Sequence, residues 1–407
     1  MSLKEDAKFI YTEAIKASLP NSAVKAALDK MTTAEGRLIL VAIGKAAWQM
    51  ASTAHEILGE RIDAGVVITK YGHSRGEIGN IEIYEAAHPI PDMNGIAATK
   101  RALDITENLS EKDTVLFLVS GGGSALFEYI DFPLDDLMAL TKEMLSSGAS
   151  IEEINTVRKH LSEVKGGRFG EHIMPASVYA VVLSDVISSR LDMIASGPTV
   201  EDSSSVADAL AIVERYSLNL TERQSQLIMR ETPKSVSNAV HCVSGSVSGL
   251  CIAAKSAAES LGYNAEVMTD SMDSEARDAG AYIGELAARL AKSEENSKRV
   301  LIFGGETVVH LRGNGLGGRN QELALTAAKY ISGIDNVAVF SVGSDGTDGP
   351  TDAAGGYVDG ESYSKIAGYE SFLDNNDSYN ALKISDGLIC TGPTGTNVND
   401  FAAIIIK

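Results

Sequence analysis

Unbroken apolar, β-branched runs recur along this chain, each leading into a segment with helical spacing. "GRLILVAIG" (36–44) passes into "KAAWQMASTAHEIL", and "AGVVITK" (64–70) repeats the apolar run. "DTVLFLVSGGGSALF" reads as a strand, a glycine loop and a continuation, and "SVYAVVLSDV" as a strand that ends in an acid. A strand wet on one face alternates apolar with polar residues; these do not, so both of their faces are covered. Helical spacing fills the gaps, over residues 4–31, "PDMNGIAATKRALDITENL" and "INTVRKHLSEVKGGRFG". A βαβα rhythm of this kind predicts an α/β fold with a mostly parallel sheet under helices.

The pattern runs twice. A polar, helical stretch at 199–240, a bridge or cap by its composition, is followed by "AVHCVSGS", "GLCIAAKSAAESLG", "NAEVMT", "KRVLIFGGET", "NQELALTAAKYI", "VAVFSVGSDG" and "DFAAIIIK". With 407 residues, too many for one ordinary core, two α/β domains are expected, at 1–235 and 236–407.

Formal net charge is −20, from 35 Lys+Arg against 55 Asp+Glu. That field disfavours nucleic acid and anionic membranes as partners. An anionic substrate would therefore need a few well-placed cations. Only Cys242, Cys251 and Cys390 are present, with no CxxC pair. Such a set argues against a disulfide framework or a zinc site and for a reducing, cytoplasmic setting. The start "MSLKEDAKFIYTEAIKASL" lacks an apolar signal core, and no uncharged run approaches a membrane span. A dimer is only the default assembly.

In open α/β sheets, ligands bind beyond the carboxyl ends of the strands. The unusual residues of this sequence gather there: Lys45 in "VAIGKAA", Gly121, Gly122, Gly123 and Ser124 in "VSGGGSA", Asp185 in "VLSDV", Glu306 in "IFGGET" and Asp345 in "VGSDGTDG". Between the last two lies "GNGLGGRNQE", which brings Gly317, Gly318, Arg319 and Asn320 to a helix start. Singly, each has a plain reading: a tight turn, a helix N-cap at Asp185, a solvated Lys45, an Arg319 paired with a neighbouring carboxylate. His160, His241 and His310 are scattered, with no partner at metal-ligand spacing. Together the residues point to phosphate chemistry. Glycine loops let backbone N–H groups cradle phosphate oxygens, Lys and Arg supply charge, and strand-end carboxylates such as Asp185 and Glu306 suit Mg²⁺. The loop "SDGTDGPTDAAGG" (344–356), which crowds three aspartates among glycines, would hold a metal or a substrate hydroxyl beside a phosphate. Neither GxxxxGK[ST] nor the protein-kinase signature set is present.

"GGETVVHLRGNGLGGRNQELAL" (304–325), "SVGSDGTDGPTDAAGGYVD" (341–359) and "TGPTGTNVNDF" (391–401) resemble the C-terminal MOFRL domain of the type II glycerate kinases. "VAIGKAAWQMA", "SGGGSALFE", "INTVRKHLSEVKGGR" and "LSDVISSRLDMIASGPTVED" agree in order with the N-terminal half, so the resemblance spans nearly the whole chain. It implies a large Rossmann-like α/β/α sandwich domain, a smaller mixed α/β domain and an active site in the cleft between them. It also implies transfer of the γ-phosphoryl group of ATP, with Mg²⁺, to D-glycerate, at O2 or O3, with O2 favoured. On matching positions Lys45 and Arg319 are the expected catalytic or substrate-anchoring cations and Asp345 their acidic partner. The 121–124 loop is the phosphate- or substrate-binding element, with Gly317, Gly318 and Asn320 beside it. Two rivals fare worse. A hydroxypyruvate reductase would need a GxGxxG opening the first βα unit, which is missing. A non-catalytic nucleotide-binding protein would have little need for Lys45, Arg319 and Asp345 together.

Overall fold

The computed structural model describes residues 2–32, 35–183, 190–244, 246–292 and 298–407. Two compact units emerge. One comprises residues 23–184 and 189–244, and the other joins the first 22 residues to 245–407.

The first unit is built on six parallel strands: β1 (Leu38–Ile43), β2 (Ala64–Lys70), β3 (Ile81–Ala86), β4 (Thr114–Val119), β5 (Ser177–Leu183) and β6 (Ala239–Ser244). Their order is β3-β2-β1-β4-β5-β6. This is the Rossmann arrangement, with its reversal of strand order between β1 and β4. Alternate residues sort to opposite faces. Ile39, Val41, Ile43, Val115, Phe117 and Val119 share one core with Ala98, Ala102, Phe127 and Phe169. Leu38, Leu40, Ala42, Leu116 and Leu118 join another with Val24, Ala27, Met50 and Ala54. The helices Met93–Ile105 and Ala47–Leu58 thus cover opposite faces. The polar 199–240 stretch is partly helical. Its helices Val206–Arg215 and Glu222–Leu227 place Ala209, Ile212 and Leu227 against Leu140, Met144, Ile154 and Val157.

The second unit holds a mixed sheet. β7 (Asn264–Met272), β8 (Arg299–Gly305), β9 (Val337–Gly343), β10 (Gly355–Asp359), β11 (Leu388–Ile389) and β12 (Asp400–Ile406) lie in the order β11-β10-β9-β12-β8-β7. β12 runs antiparallel to both β8 and β9, pairing Asp400 with Gly305 and with Gly343.

The division differs from the expected split after residue 235 in two ways. β6 pairs with β5 and completes the parallel sheet, so residues up to 244 stay with the first unit. The N-terminal helix Leu3–Ala17 packs on the mixed sheet instead. Ala7, Ile10 and Ala14 are buried in the core that holds Leu250, Ala254, Phe340 and Phe401. Asp6 accepts a hydrogen bond from the Tyr263 hydroxyl at 2.5 Å and pairs with Lys407 at 3.1 Å. The helical spacing over 4–31 also breaks in two, since Pro20 opens a second helix, Pro20–Leu28, where its missing N–H costs nothing.

Ile10→Ala should destabilise the second unit by about 2–5 kcal/mol, the cost of a large-to-small change in a closed core. Denaturant melts of the two proteins test this, and a loss well under about 1 kcal/mol would mean that the helix is not anchored there.

Candidate active site

Two clusters of sequence-predicted residues form, one in each unit. In the parallel-sheet unit, Lys45 follows β1 and Gly121–Ser124 follow β4, so both flank the point where the strand order reverses. Crevices for ligands open at such points. Ser120 fastens the two connections together. Its hydroxyl donates to the Ile43 carbonyl at 3.1 Å and accepts from the Ala46 N–H at 3.1 Å, while the Lys45 N–H donates to the Gly121 carbonyl at 2.9 Å. Gly44 lies at φ +108°, and a Cβ there would sit 2.3 Å from the Ser120 oxygen, so this approach needs glycine. The backbone of Lys45 is therefore fixed while its side chain stays exposed. Gly122, at φ +91°, brings the turn against His88; a Cβ would stand 3.0 Å from the imidazole. Burial lowers the His88 pKa, and the nearby charges of Lys45, Lys70 and His73 lower it further. The neutral imidazole is thus favoured beside Lys45 and Lys70.

In the mixed-sheet unit, Arg319 opens the helix Arg319–Tyr330. It meets Asp400 at the start of β12, with Nε–Oδ2 at 2.5 Å and Nη2–Oδ1 at 3.2 Å, and Glu306 after β8 through Nη1 at 2.9 Å. Burial disfavours the guanidinium charge, but these carboxylates outweigh it and raise its pKa. Of the five N–H donors of an arginine, three are engaged in these contacts. Among the described residues, one donor on each terminal nitrogen makes no such contact.

The three aspartates of 344–356 part company. Asp345, half-buried, accepts from the Thr347 N–H at 2.9 Å. Asp352 accepts from the Tyr379 hydroxyl at 2.8 Å. Asp348 is buried and caps the arginine's helix, accepting from the N–H groups of Asn320 at 3.1 Å and Gln321 at 2.8 Å. A carboxylate at a helix N-terminus satisfies orphan donors and meets the positive end of the dipole. The loop therefore serves first to fix the helix that presents Arg319. Gly317, Gly318 and Asn320, expected near the substrate, are taken up by packing. A Cβ on Gly318 would fall 2.3 Å from the Asp348 carboxyl carbon, and one on Gly317 would fall 2.2 Å from the Ser378 oxygen. Asn320 is buried and accepts from the Ser341 hydroxyl at 2.5 Å.

Asp185 lies outside the described residues. Glu306 is held by Arg319, and among the described residues no group of three or more His, Cys, Asp or Glu is placed to hold a metal ion. Sequence reasoning passed over Asp400, Ser120 and His88, and gave Asp348 a metal- or hydroxyl-holding part in its loop where the structure makes it a helix cap. The aspartates stood within the quoted motifs, but their roles arise from pairing across the sheet.

Burial lifts the Asp400 carboxyl to about 6, against the pull of Arg319 and with help from the charge of Asp348. Between pH about 4 and about 6 the folded chain keeps a proton there that the unfolded chain has released, so this group takes stability away as the pH rises through that window. Asp400→Asn removes the effect. Relative to wild type, the variant should gain on the order of 2 kcal/mol between pH 4 and 6.5. Denaturant melts at the two pH values measure the difference, and equal pH slopes would clear Asp400 of the titration.

Comparison with known proteins agrees with this architecture. Residues 6–229 match a family described as a domain of unknown function, DUF4147, and residues 299–400 match the MOFRL family. The chain is 54% identical to a D-glycerate 2-kinase of Thermotoga maritima, with 98% of this chain and 97% of that protein aligned. It is 41% identical to a glycerate 2-kinase of Pyrococcus horikoshii, covering 100% and 98%. The crystal structure of a glycerate kinase from Thermotoga maritima superimposes with a TM-score of 0.93 at 53% identity, over 100% of this chain and 99% of that one. Shared across both units, with the MOFRL region at the expected end, this likeness makes the chain a member of the glycerate kinase family with a C-terminal MOFRL domain.

Proposed function

We propose that this chain transfers the γ-phosphoryl group of ATP to O2 of D-glycerate, giving 2-phosphoglycerate and ADP. The observation that carries the reading is the basic rim at the switch point of the parallel sheet. Lys45 and the open glycine turn stand together there, with Lys70 close by, in a chain of net charge −20. A local positive field set against a global negative one suits a polyphosphate. The name of the Thermotoga maritima relative, D-glycerate 2-kinase, supplies the acceptor and the position.

Phosphoryl transfer asks a protein chiefly for positioning and for charge on the migrating group. In this reading the backbone amides of Gly121–Gly123 and Ser124 receive phosphate oxygens, and Lys45 neutralises charge on the group in transit. Arg319 uses its two remaining donors on the glycerate carboxylate, for which a fork is well shaped. Asp345 accepts the hydroxyl proton. A divalent cation such as Mg²⁺, for which Glu306 is the candidate ligand among the described residues, would offset charge on the phosphates.

ADP release from Mg-ATP with D-glycerate, read by coupling through enolase, tests the reaction. Signal without added phosphoglycerate mutase is the expected result; signal only with the mutase would move the phosphate to O3, and none would end the kinase reading. Lys45→Ala should cost about a thousandfold or more in kcat with an unchanged melting curve. Arg319→Ala would strand the buried Asp400 charge and unsettle the fold. Arg319→Lys keeps the charge and loses the fork, so a large activity loss in that variant, with melting preserved, is the cleaner prediction. Near-normal turnover in either variant takes that residue out of the mechanism.

A further inference from the structure

Below the glycine turn lies a buried ionic group that the proposed chemistry does not use. Glu128, fully enclosed, faces two cations, with Arg158 Nη2 at 2.8 Å and Lys165 Nζ at 3.4 Å. Both cations also reach the backbone of the segment that continues the turn. Arg158 Nη2 donates to the Ser124 carbonyl at 2.9 Å, and Lys165 Nζ donates to the Phe127 carbonyl at 2.7 Å. The Ser162 hydroxyl donates to the other Glu128 oxygen at 2.6 Å. Arg158 and Asn155 lie on one helix, Ile151–Leu161. Asn155 accepts from the Ser196 hydroxyl at 3.1 Å, and that same hydroxyl lies 3.3 Å from the Ser124 oxygen.

Ser196 stands in a run of three left-handed residues, Ala195, Ser196 and Gly197, at φ 52°, 62° and 63°. Consecutive non-glycine residues in that region persist only where the surroundings hold them, and such places cluster at functional sites. A Cβ on Gly123 would meet the Ala195 methyl at 2.7 Å, so this segment is pressed onto the turn. Two cations on one carboxylate are more than neutrality asks for. What they share is the backbone of residues 124–127.

We infer that Arg158 is a positioning residue for the glycine turn: aimed by Glu128, its guanidinium clamps the Ser124 carbonyl and fixes the conformation in which residues 121–124 receive a phosphate group. The inference rests on the kinase reading for its ligand. Arg158 makes both contacts through Nη2 alone, at the far end of its rigid guanidinium, a reach that the shorter lysine side chain does not match.

Arg158→Lys and Arg158→Ala test it, each melted thermally before assay. Both should fold, lose about tenfold to a hundredfold in kcat and keep KM for ATP and glycerate within about threefold. Methylguanidinium should restore part of the turnover of Arg158→Ala and none of that of Arg158→Lys. Amide hydrogen exchange across residues 120–127 should quicken in Arg158→Lys. Wild-type turnover in a folded variant, loss without rescue, or failure of both variants to fold would overturn the positioning role. Unchanged exchange would overturn it whatever the substrate, while absence of glycerate-dependent ADP release in the wild-type protein is the separate failure of the kinase reading.

Discussion

β1 and β4 pair in parallel along their whole length, from Leu38 with Thr114 to Ile43 with Val119. Parallel neighbours cannot be joined by a hairpin, so the chain leaves each of them over a face of the sheet. One chain of strands grows outward through β2 and β3, and the other through β5 and β6. Both faces must then be covered, which fixes the apolar character of the strands and the amphipathic character of the helices between them. The divergence at β1 and β4 is also what leaves room at their carboxyl ends. Gly44, Ser120 and the Lys45–Gly121 hydrogen bond are the local terms on which two backbones meet there.

The mixed-sheet unit reaches a comparable result by other means. Its central cation stands on a helix whose start is pinned by Asp348 from the loop after β9 and whose guanidinium is braced by Asp400 from β12. Arg319 is costly to bury and is held by two carboxylates, one of them so enclosed that its own ionisation is resisted. The acidic, glycine-rich loop is worth building because each aspartate has a separate task. Crowding in sequence becomes dispersal in space.

Much of this could be read from residues alone. The runs 38–43, 64–70, 114–119 and 177–183 announce buried parallel strands because nothing in them alternates, and the strand-end positions of Lys45, Gly121 and Arg319 follow from the same pattern. Three strands gave no such signal. β3 is an edge strand that carries Glu82, Tyr84 and Glu85, and its polarity reflects solvent on one side. β10 opens with two glycines, and β11 is only two residues long. The N-terminal helix showed its apolar stripe but not its partner, since the residues it meets, Leu250, Phe340 and Phe401 in the core and Tyr263 and Lys407 at Asp6, are remote in sequence. Asp400 was illegible for a related reason. It gains its meaning only when β12 inserts between β8 and β9 and brings it to an arginine far upstream.

The docking of the first helix on the mixed sheet also sets an order of events during synthesis. Residues 3–17 are synthesised well before the strands they pack against, which all lie beyond residue 244, as does Lys407, the partner of Asp6. The parallel-sheet unit has its complete set of strands once residue 244 has emerged. Until the final strand is released, the leading helix keeps its apolar stripe without its permanent partner. The second unit is thus assembled from segments that lie on either side of the parallel-sheet unit in sequence, and it closes only when the leading helix meets strands made much later.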